Sequence, residues 1–329
     1  MLTIDIDNLR IIPLDFWAFF SDASSYIGRF KFSKSQFVNE NVFEYLNQEI
    51  MDNQNRRLLG IDMKNISSYP MHIFARISTS DSKVFFYNVE EKNIVLRMKE
   101  DLPQLIWLNE TTATFSMENR FEIEDSLQNK CGNSRKIKHA EIMKKTMLSQ
   151  DKDVYTLESS GLYSNCYLSV KKLFREVEMF YFTIFSMAQR VSELPKFDAF
   201  VTSSKNGAII ATILGDILNI KEIHLIGIGP KYSMELENSV DSIKQGKRYV
   251  YIFDFMCTGT ELKIVSALIS SKKGILKGAI GISRYKADIN LALQRKISVL
   301  VEEKELGIRY VIAGSKEEIK MLKDGNGNE

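Results

Sequence analysis

Cysteine, histidine, proline and long apolar runs are all scarce in this 329-residue chain, and each scarcity excludes something. The three cysteines, Cys131, Cys166 and Cys257, lie far apart. An odd, sparse count fits a reducing compartment and gives no metal-ligand spacing. His72, His139 and His224 are equally scattered, so the sequence offers no histidine-rich metal centre and no metal ligands are assigned. Five Pro and 17 Gly leave no Pro-rich or Gly/Ser-rich linker. No apolar run approaches the roughly 18 residues of a spanning helix. The opening Met1–Arg10 stretch carries Asp5 and Asp7 and no basic segment ahead of an apolar one, so it does not read as a secretory signal. The expectation is a cytoplasmic protein without a membrane segment. Excess charge is missing too: 44 Lys and Arg against 42 Asp and Glu leave a net +2. That balance argues against a general polyanion-binding surface and leaves room only for a local basic patch.

What is present is an ordinary globular composition, 44% hydrophobic and 26% charged, at a length that sets a prior of two domains. The texture changes near residue 150, which predicts an α+β accessory or interaction domain over 1–150 and an α/β domain over 151–329. In the first part, Val38, Val42, Leu46 and Ile50 recur every four residues with Phe43 on the same face, predicting a helix over Ser33–Asn53. Ser33 is the expected cap, with Gln36 completing a capping box and Phe32 and Phe37 forming a staple. Strands are predicted at Met71–Ile77, Val84–Val89, Asn93–Met98 and Thr112–Ser116, the middle two joined as a hairpin through Glu90–Lys92. The polar Asn129–Lys138 stretch reads as an exposed loop, followed by a helix over Ala140–Ser149. Arg135, Lys136, Lys138, Lys144 and Lys145 form either a solvated face or a modest nucleic-acid contact. Trp17, Phe19, Phe20, Phe85, Phe86 and Trp107 read as core aromatics ahead of a base-stacking platform.

From about Asp153, continuous apolar strands alternate with helices, which predicts a parallel sheet covered on both faces. The strands are Ala199–Thr202, Ile223–Ile228, Tyr249–Phe253, Gly278–Ser283 and Ile297–Val301, and the helices include Ala208–Leu218 and Glu261–Ser271. Ligands of such sheets sit at the carboxyl ends of the strands. Two of the loops there carry chemistry. In Asp254–Thr260, an acidic residue is followed by Thr258-Gly259-Thr260 at a helix start, where free N–H groups and the positive helix end favour an anion. The alternative is that both threonines cap the helix and Asp254 ends the strand. In Thr202–Gly207, Lys205, Asn206 and Gly207 offer one ammonium and backbone N–H groups to a phosphate, although an ordinary turn uses Ser and Gly as readily. Cys257 reads as a packed thiol ahead of a nucleophile.

Four segments in order, from about Asp153 to Leu306, resemble a type I phosphoribosyltransferase, most of all the orotate branch. Val154–Tyr167 is similar to that branch's opening segment. Phe197–Gly207 falls at the pyrophosphate loop, and Gly246–Thr260 at the motif for phosphoribosyl pyrophosphate (PRPP). Gly281-Ile282-Ser283-Arg284 resembles the strand end whose arginine holds the base. The resemblance implies a nucleotide or phosphoribosyl ligand. Asp254 would hold the ribose hydroxyls or face the developing positive charge, and Lys231 and Lys205 would be the cations for the leaving group. Lys205, Asn206, Gly207, Thr258, Gly259 and Thr260 would cradle phosphate, and Arg284 would hold the base. It also implies Mg²⁺ if PRPP or a nucleotide is used.

This chain departs from the pattern at five points. Phe255 replaces the second of two adjacent acids, and the turn is one residue shorter. Glu261 stands where a phosphate-binding Ser or Thr belongs. Ser159 stands in place of a lysine, and the segment matching the mobile catalytic loop, Gly229–Glu237, holds Lys231 against Glu235 and Glu237. These departures, with the added first domain, imply an atypical accessory or effector protein. By genomic analogy such fusions occur in bacterial antiviral defence, for instance beside a retron reverse transcriptase. A protein partner or homo-oligomer, or a nucleic-acid-containing complex, would then be its company. The alternative is an active transferase, or an enzyme that cleaves an N-glycosidic bond.

Overall fold

A strand covered on both faces needs apolar residues without interruption. Leu58–Asp62, Val84–Tyr87 and Ala199–Thr202 meet that demand, because every residue in them is buried. The computed structural model describes residues 2–25, 32–33, 36–53, 57–69, 83–149, 154–157, 162–228, 241–285, 291–312 and 319–320. The chain divides into two units, Met1–Lys138 and His139–Glu329, earlier than the change of texture near residue 150. Among the described residues no helix is long and apolar enough to cross a membrane.

The first unit contains β1 (Ile4–Ile6), β2 (Leu9–Pro13), α1 (Leu14–Ser25), β3 (Gln36–Phe37), α2 (Glu40–Asn53), β4 (Leu58–Asp62), β5 (Ile66–Ser68), β6 (Val84–Tyr87), α3 (Lys92–Asp101), β7 (Ile106–Asn109), β8 (Thr112–Thr114) and α4 (Arg120–Asn129). Helix α5 (Ser134–Thr146) begins in this unit and ends in the next. Its sheet has the order β1-β2-β4-β6-β8-β7. Strands β2, β4 and β6 at the centre are parallel, and antiparallel pairing is confined to β1 and to β8 and β7. Trp17, Phe19, Phe85 and Phe86 are buried core residues.

Several expectations for this unit are corrected. The helix predicted from Ser33 starts at Glu40, where Asn39 accepts from the Val42 N–H at 3.1 Å. Gln36 and Phe37 belong instead to a strand, and Phe37 is exposed, so neither the capping box nor the staple forms as expected. The Val42, Leu46 and Ile50 face is buried as its period requires. Asn93–Met98 lies in α3 rather than a strand: Ile94 and Met98, four residues apart, are the buried positions, and this is the helical period. Asn129–Lys138 is no exposed loop, since a 3₁₀ turn at Cys131–Asn133 leads directly into α5 and Lys138 is buried. The predicted strand Met71–Ile77 lies outside the described residues.

The second unit contains β9 (Leu148–Ser149), β10 (Tyr155–Leu157), β11 (Leu162–Ser164), β12 (Tyr167–Leu168), α6 (Val177–Glu193), β13 (Ala199–Thr202), α7 (Lys205–Leu218), β14 (Ile223–Leu225), β15 (Arg248–Met256), α8 (Thr260–Ser271), β16 (Ile275–Arg284), α9 (Leu291–Gln294), β17 (Ile297–Glu302), α10 (Glu303–Leu306) and β18 (Tyr310–Ile312). The expected parallel sheet is present in the order β14-β13-β15-β16-β17, and all four of its ladders are parallel. Alternation along β15 sends Tyr249, Tyr251 and Phe253 into one core with Leu262, Val265 and Ile269 of α8. Strand β15 runs three residues beyond Phe253, so Asp254 sits inside the strand near its carboxyl end. At the opposite, amino end, Asp198 takes a forked ion pair from Arg248, at 2.9 Å from Nε and 2.6 Å from Nη2.

Candidate functional site

Parallel strands put all their carboxyl ends on one side, so the loops after β13 and β15 become neighbours although 48 residues separate Asn206 from Asp254. Ser204 has an extended backbone and caps α7, accepting from the Gly207 N–H at 2.9 Å. Gly207 is forced by space: a Cβ there would lie 2.3 Å from Thr202 Oγ1 and 3.1 Å from the Ile252 carbonyl oxygen. Thr202 Oγ1 is itself fully buried and has no hydrogen-bond partner among the described residues. Lys205 opens α7 and is exposed.

Asp254 reaches across to this loop. Its carboxylate accepts from Asn206 Nδ2 at 2.9 Å and from Ser204 Oγ at 3.3 Å. The start of α8 is built differently. Gly259 takes the left-handed backbone, φ 74°, that an L side chain adopts at a cost, and no side chain caps the helix. Thr258 and Thr260 share a hydrogen bond between their hydroxyls at 2.9 Å, so the reading of these threonines as simple caps does not hold. Glu261, in the first turn, accepts instead from Ser203 Oγ and from the Tyr251 hydroxyl, the latter at 3.4 Å. Ser203 Oγ and Tyr251 Oη are 2.6 Å apart, which closes a three-membered cluster. Burial first, and then the Glu261 charge, push the Tyr251 pKa well up, so this phenol stays a donor.

Arg284 ends β16 as expected, but its guanidinium is engaged by Glu302 of β17 at 3.3 and 3.4 Å. Phe255 packs edge-on against the buried Tyr285 with ring centroids 4.7 Å apart. Lys231 lies outside the described residues. The structure therefore brings together Asp254, Lys205, Asn206 and Gly207, and adds the uncapped start of α8 beside them. Ser203 and Ser204 lie in the expected phosphate loop but were not singled out within it, and Tyr251 was missed as a site residue. The sequence carried no signal that separates Tyr251 from Tyr249 two residues before it in the same strand, and one of its partners, Ser203, comes from a loop that the sequence does not place beside it. Among the described residues no group of three or more His, Cys, Asp or Glu could hold a metal ion.

No family model matches this sequence, and no curated protein matches it. Solved structures do. The chain is similar to the orotate phosphoribosyltransferase from Aeropyrum pernix, at 16% identity over 51% of this chain and 94% of that one, with a TM-score of 0.41. It is similar to the adenine phosphoribosyltransferase from Thermoanaerobacter pseudethanolicus, at 17% identity over 42% and 88%, with a TM-score of 0.36. It is also similar to the adenine phosphoribosyltransferase from Trypanosoma brucei solved with AMP, pyrophosphate and ribose-5-phosphate, at 14% identity over 51% and 81%, with a TM-score of 0.39. These structures belong to the type I phosphoribosyltransferases that the four sequence segments resemble.

Proposed function

We propose that the second unit is a phosphoribosyltransferase-like binding unit whose ligand is a nucleotide or phosphoribosyl compound, held where β13 and β15 end. The observation that carries this reading is the contact of Asp254 with Ser204 and Asn206. The two segments that resemble the PRPP motif and the pyrophosphate loop meet through it. A carboxylate held by neutral donors can exchange one of them for a sugar hydroxyl. Lys205 and Asn206 at the start of α7 are the donors for an anionic group, Gly207, whose N–H serves Ser204, keeps the approach open, and Arg284 and Lys231 are assigned the base and the leaving group only through the family resemblance.

Mg²⁺ would have to arrive with the ligand's phosphates, because Mg²⁺ is commonly held by one or two carboxylates plus phosphate oxygens and water, and the described residues build no three-ligand cluster. Asp254 is the carboxylate that would meet it, and the ion would supply charge neutralisation for the phosphates. The role proposed for the whole chain is that of an atypical accessory or effector protein in the cytoplasm, in antiviral defence, with the first unit recruiting a partner.

Calorimetry with PRPP, AMP and UMP in Mg²⁺, on wild type and Asp254→Asn, tests the binding reading. Heat of binding is expected for at least one of these ligands and at least a tenfold loss in the variant, about 1.4 kcal/mol. Absence of binding by all three to the folded wild type would overturn it. Release of pyrophosphate or free base in the same mixtures would instead favour the active enzyme.

A further inference from the structure

The basic stretch Arg135–Lys145 is redistributed by the fold. Arg135 is committed to Asp15 and Asp62, and Lys138 is buried. Lys144 and Lys145, in the last turn of α5, are exposed and belong to the second unit. Other cations join them through the backbone. Just past α5, β9 pairs with β12, and the Ser169 N–H donates to the Met147 carbonyl at 2.9 Å. That ladder sets the end of α5 beside the turn after β12, where Lys171, Lys172 and Arg175 are exposed as well. Among the described residues none of these five side chains is in an ion pair. The same segments, 141–149 and 165–178, expose three acids, Glu141, Glu176 and Glu178, and the last of them answers the positive start of α6.

A second feature lies on the same ladder. Tyr167 of β12 is 43% exposed, and its ring stacks beside Tyr155 of β10, with 6.1 Å between centroids and 28° between planes. Unpaired cations beside exposed aromatic rings are the two parts of a single-strand site, in which the cations follow phosphates and the rings take bases. A duplex keeps its base faces stacked on one another, and an acidic peptide would leave the rings unused. A lipid surface is entered by a broad apolar face, and the large exposed hydrophobics between Asn165 and Glu178 are just Tyr167 and Val177.

We propose that the β9–β12 ladder and its flanking turns form a contact surface for single-stranded nucleic acid, bound without sequence preference. Lys144, Lys145, Lys171 and Lys172 follow the phosphates, and Tyr167 takes a base. This surface stands independently of the ribosyl pocket, whose reading it neither uses nor narrows.

Fluorescence anisotropy on the full chain tests it, with labelled oligothymidylate and oligouridylate of about 20 nucleotides. A mixed-sequence duplex of the same length, polyglutamate and vesicles of phosphatidylserine with phosphatidylcholine are the competitors. Wild type is expected to bind at least one of the single strands, with affinity falling about fiftyfold between roughly 50 and 200 mM salt if four phosphates are neutralised. Replacing Lys144 and Lys145 together by Ala, or Lys171 and Lys172 together, should weaken binding about tenfold and flatten that salt dependence. Tyr167→Ala should weaken it about tenfold with the salt dependence unchanged, and Tyr167→Phe should restore it. The control is Lys196→Ala with Lys221→Ala, at the amino ends of β13 and β14 and beyond the far end of the 17-residue α6, which spans about 25 Å. The proposal is overturned if folded wild type binds neither strand, if any competitor displaces the strand as well as unlabelled strand does, if Tyr167→Ala binds like wild type, or if the control pair loses as much as the others.

Discussion

Both units of this chain place carboxylates at the carboxyl ends of parallel strands, and the two sets are held in opposite ways. In the first unit Asp15 follows β2 and Asp62 ends β4, and both are buried. Arg135 of α5 spans them, with Nη2 2.6 Å from Asp15 Oδ1 and 3.0 Å from Asp62 Oδ2. Neutral donors fill the remaining positions: Asn88 Nδ2 and the Lys64 N–H on Asp62, Asn65 Nδ2 and the Phe16 N–H on Asp15. Burial works against the Arg135 charge, but the two carboxylates outweigh it and hold the guanidinium protonated. In the second unit, among the described residues, Asp254 and Glu261 meet only serine, asparagine and tyrosine. A neutral donor can be exchanged for a ligand hydroxyl with little change in charge balance. Removing a guanidinium leaves two buried charges uncompensated. The same strand-end carboxylate is therefore part of the core in one unit and ligand-ready in the other.

The largest effect that would sharpen this comparison is expected from Arg135→Ala. Loss of one partner from a buried ionic cluster typically costs about 3–5 kcal/mol, and the first unit should melt well below the second in calorimetry. The sign with pH is fixed as well. Burial, the largest cause, raises the Asp15 pKa above its ordinary 3.8, with Arg135 opposing and Asp62 adding to the rise. Loss of Arg135 removes the opposing effect, so acidification that protonates Asp15 should return part of the lost stability. A variant as stable as wild type at neutral pH would break the comparison.

A smaller effect is expected from Gly207→Ala in the second unit. The added methyl must displace Thr202 Oγ1 or the Ile252 backbone, and overpacking of this kind costs about 1–3 kcal/mol. It should weaken ligand binding at the start of α7 more than it lowers the melting temperature. Equal binding by wild type and variant would place the ligand elsewhere.

The smallest effect belongs to Asp198→Asn at the amino ends of the second unit's strands, the end opposite Asp254. Hydrogen bonds from the Arg248 side chain and backbone hold the Asp198 pKa well below its ordinary 3.8. Its contribution is present above that ordinary value and is lost as pH falls through the lowered one. Thermal melts between pH 7 and pH 2 should show a slightly shallower acid loss in the variant. An unchanged acid profile would mean that this half-buried pair contributes nothing measurable, as many surface pairs do.

The sequence made the second unit legible because its strands are continuous apolar runs punctuated by Ser, Gly and Asp. Ala199–Thr202 appears with its expected ends, and β15 is only longer at both ends than Tyr249–Phe253. The first unit was harder to read. Asn93–Met98 is too short for periodicity to separate strand from helix, and burial of Ile94 and Met98 decides it. Arg135 was read as part of a polar loop because its partners are remote, Asp15 lying 120 residues and Asp62 73 residues away in the chain. The candidate site was legible to the extent that its residues line a single loop, as Lys205, Asn206 and Gly207 do. Ser203 with Tyr251 and Glu261, a pairing across two βα turns, was not, because adjacency between turns is a property of the sheet order.

That sheet order also governs when the second unit can form. A parallel ladder cannot be closed by a tight turn, and Asp198 and Arg248, which join the starts of β13 and β15, are 50 residues apart. At roughly 5–20 residues per second of synthesis, β13 waits about 3–10 s for the strand that covers its inner edge. Until then, among the described residues, α7 and the short β14 are the later-made elements that pack on it. A ribosome paused between α7 and β15 would hold out a buried strand with a row of unpaired amides and carbonyls, the kind of surface that chaperones bind and that other chains join.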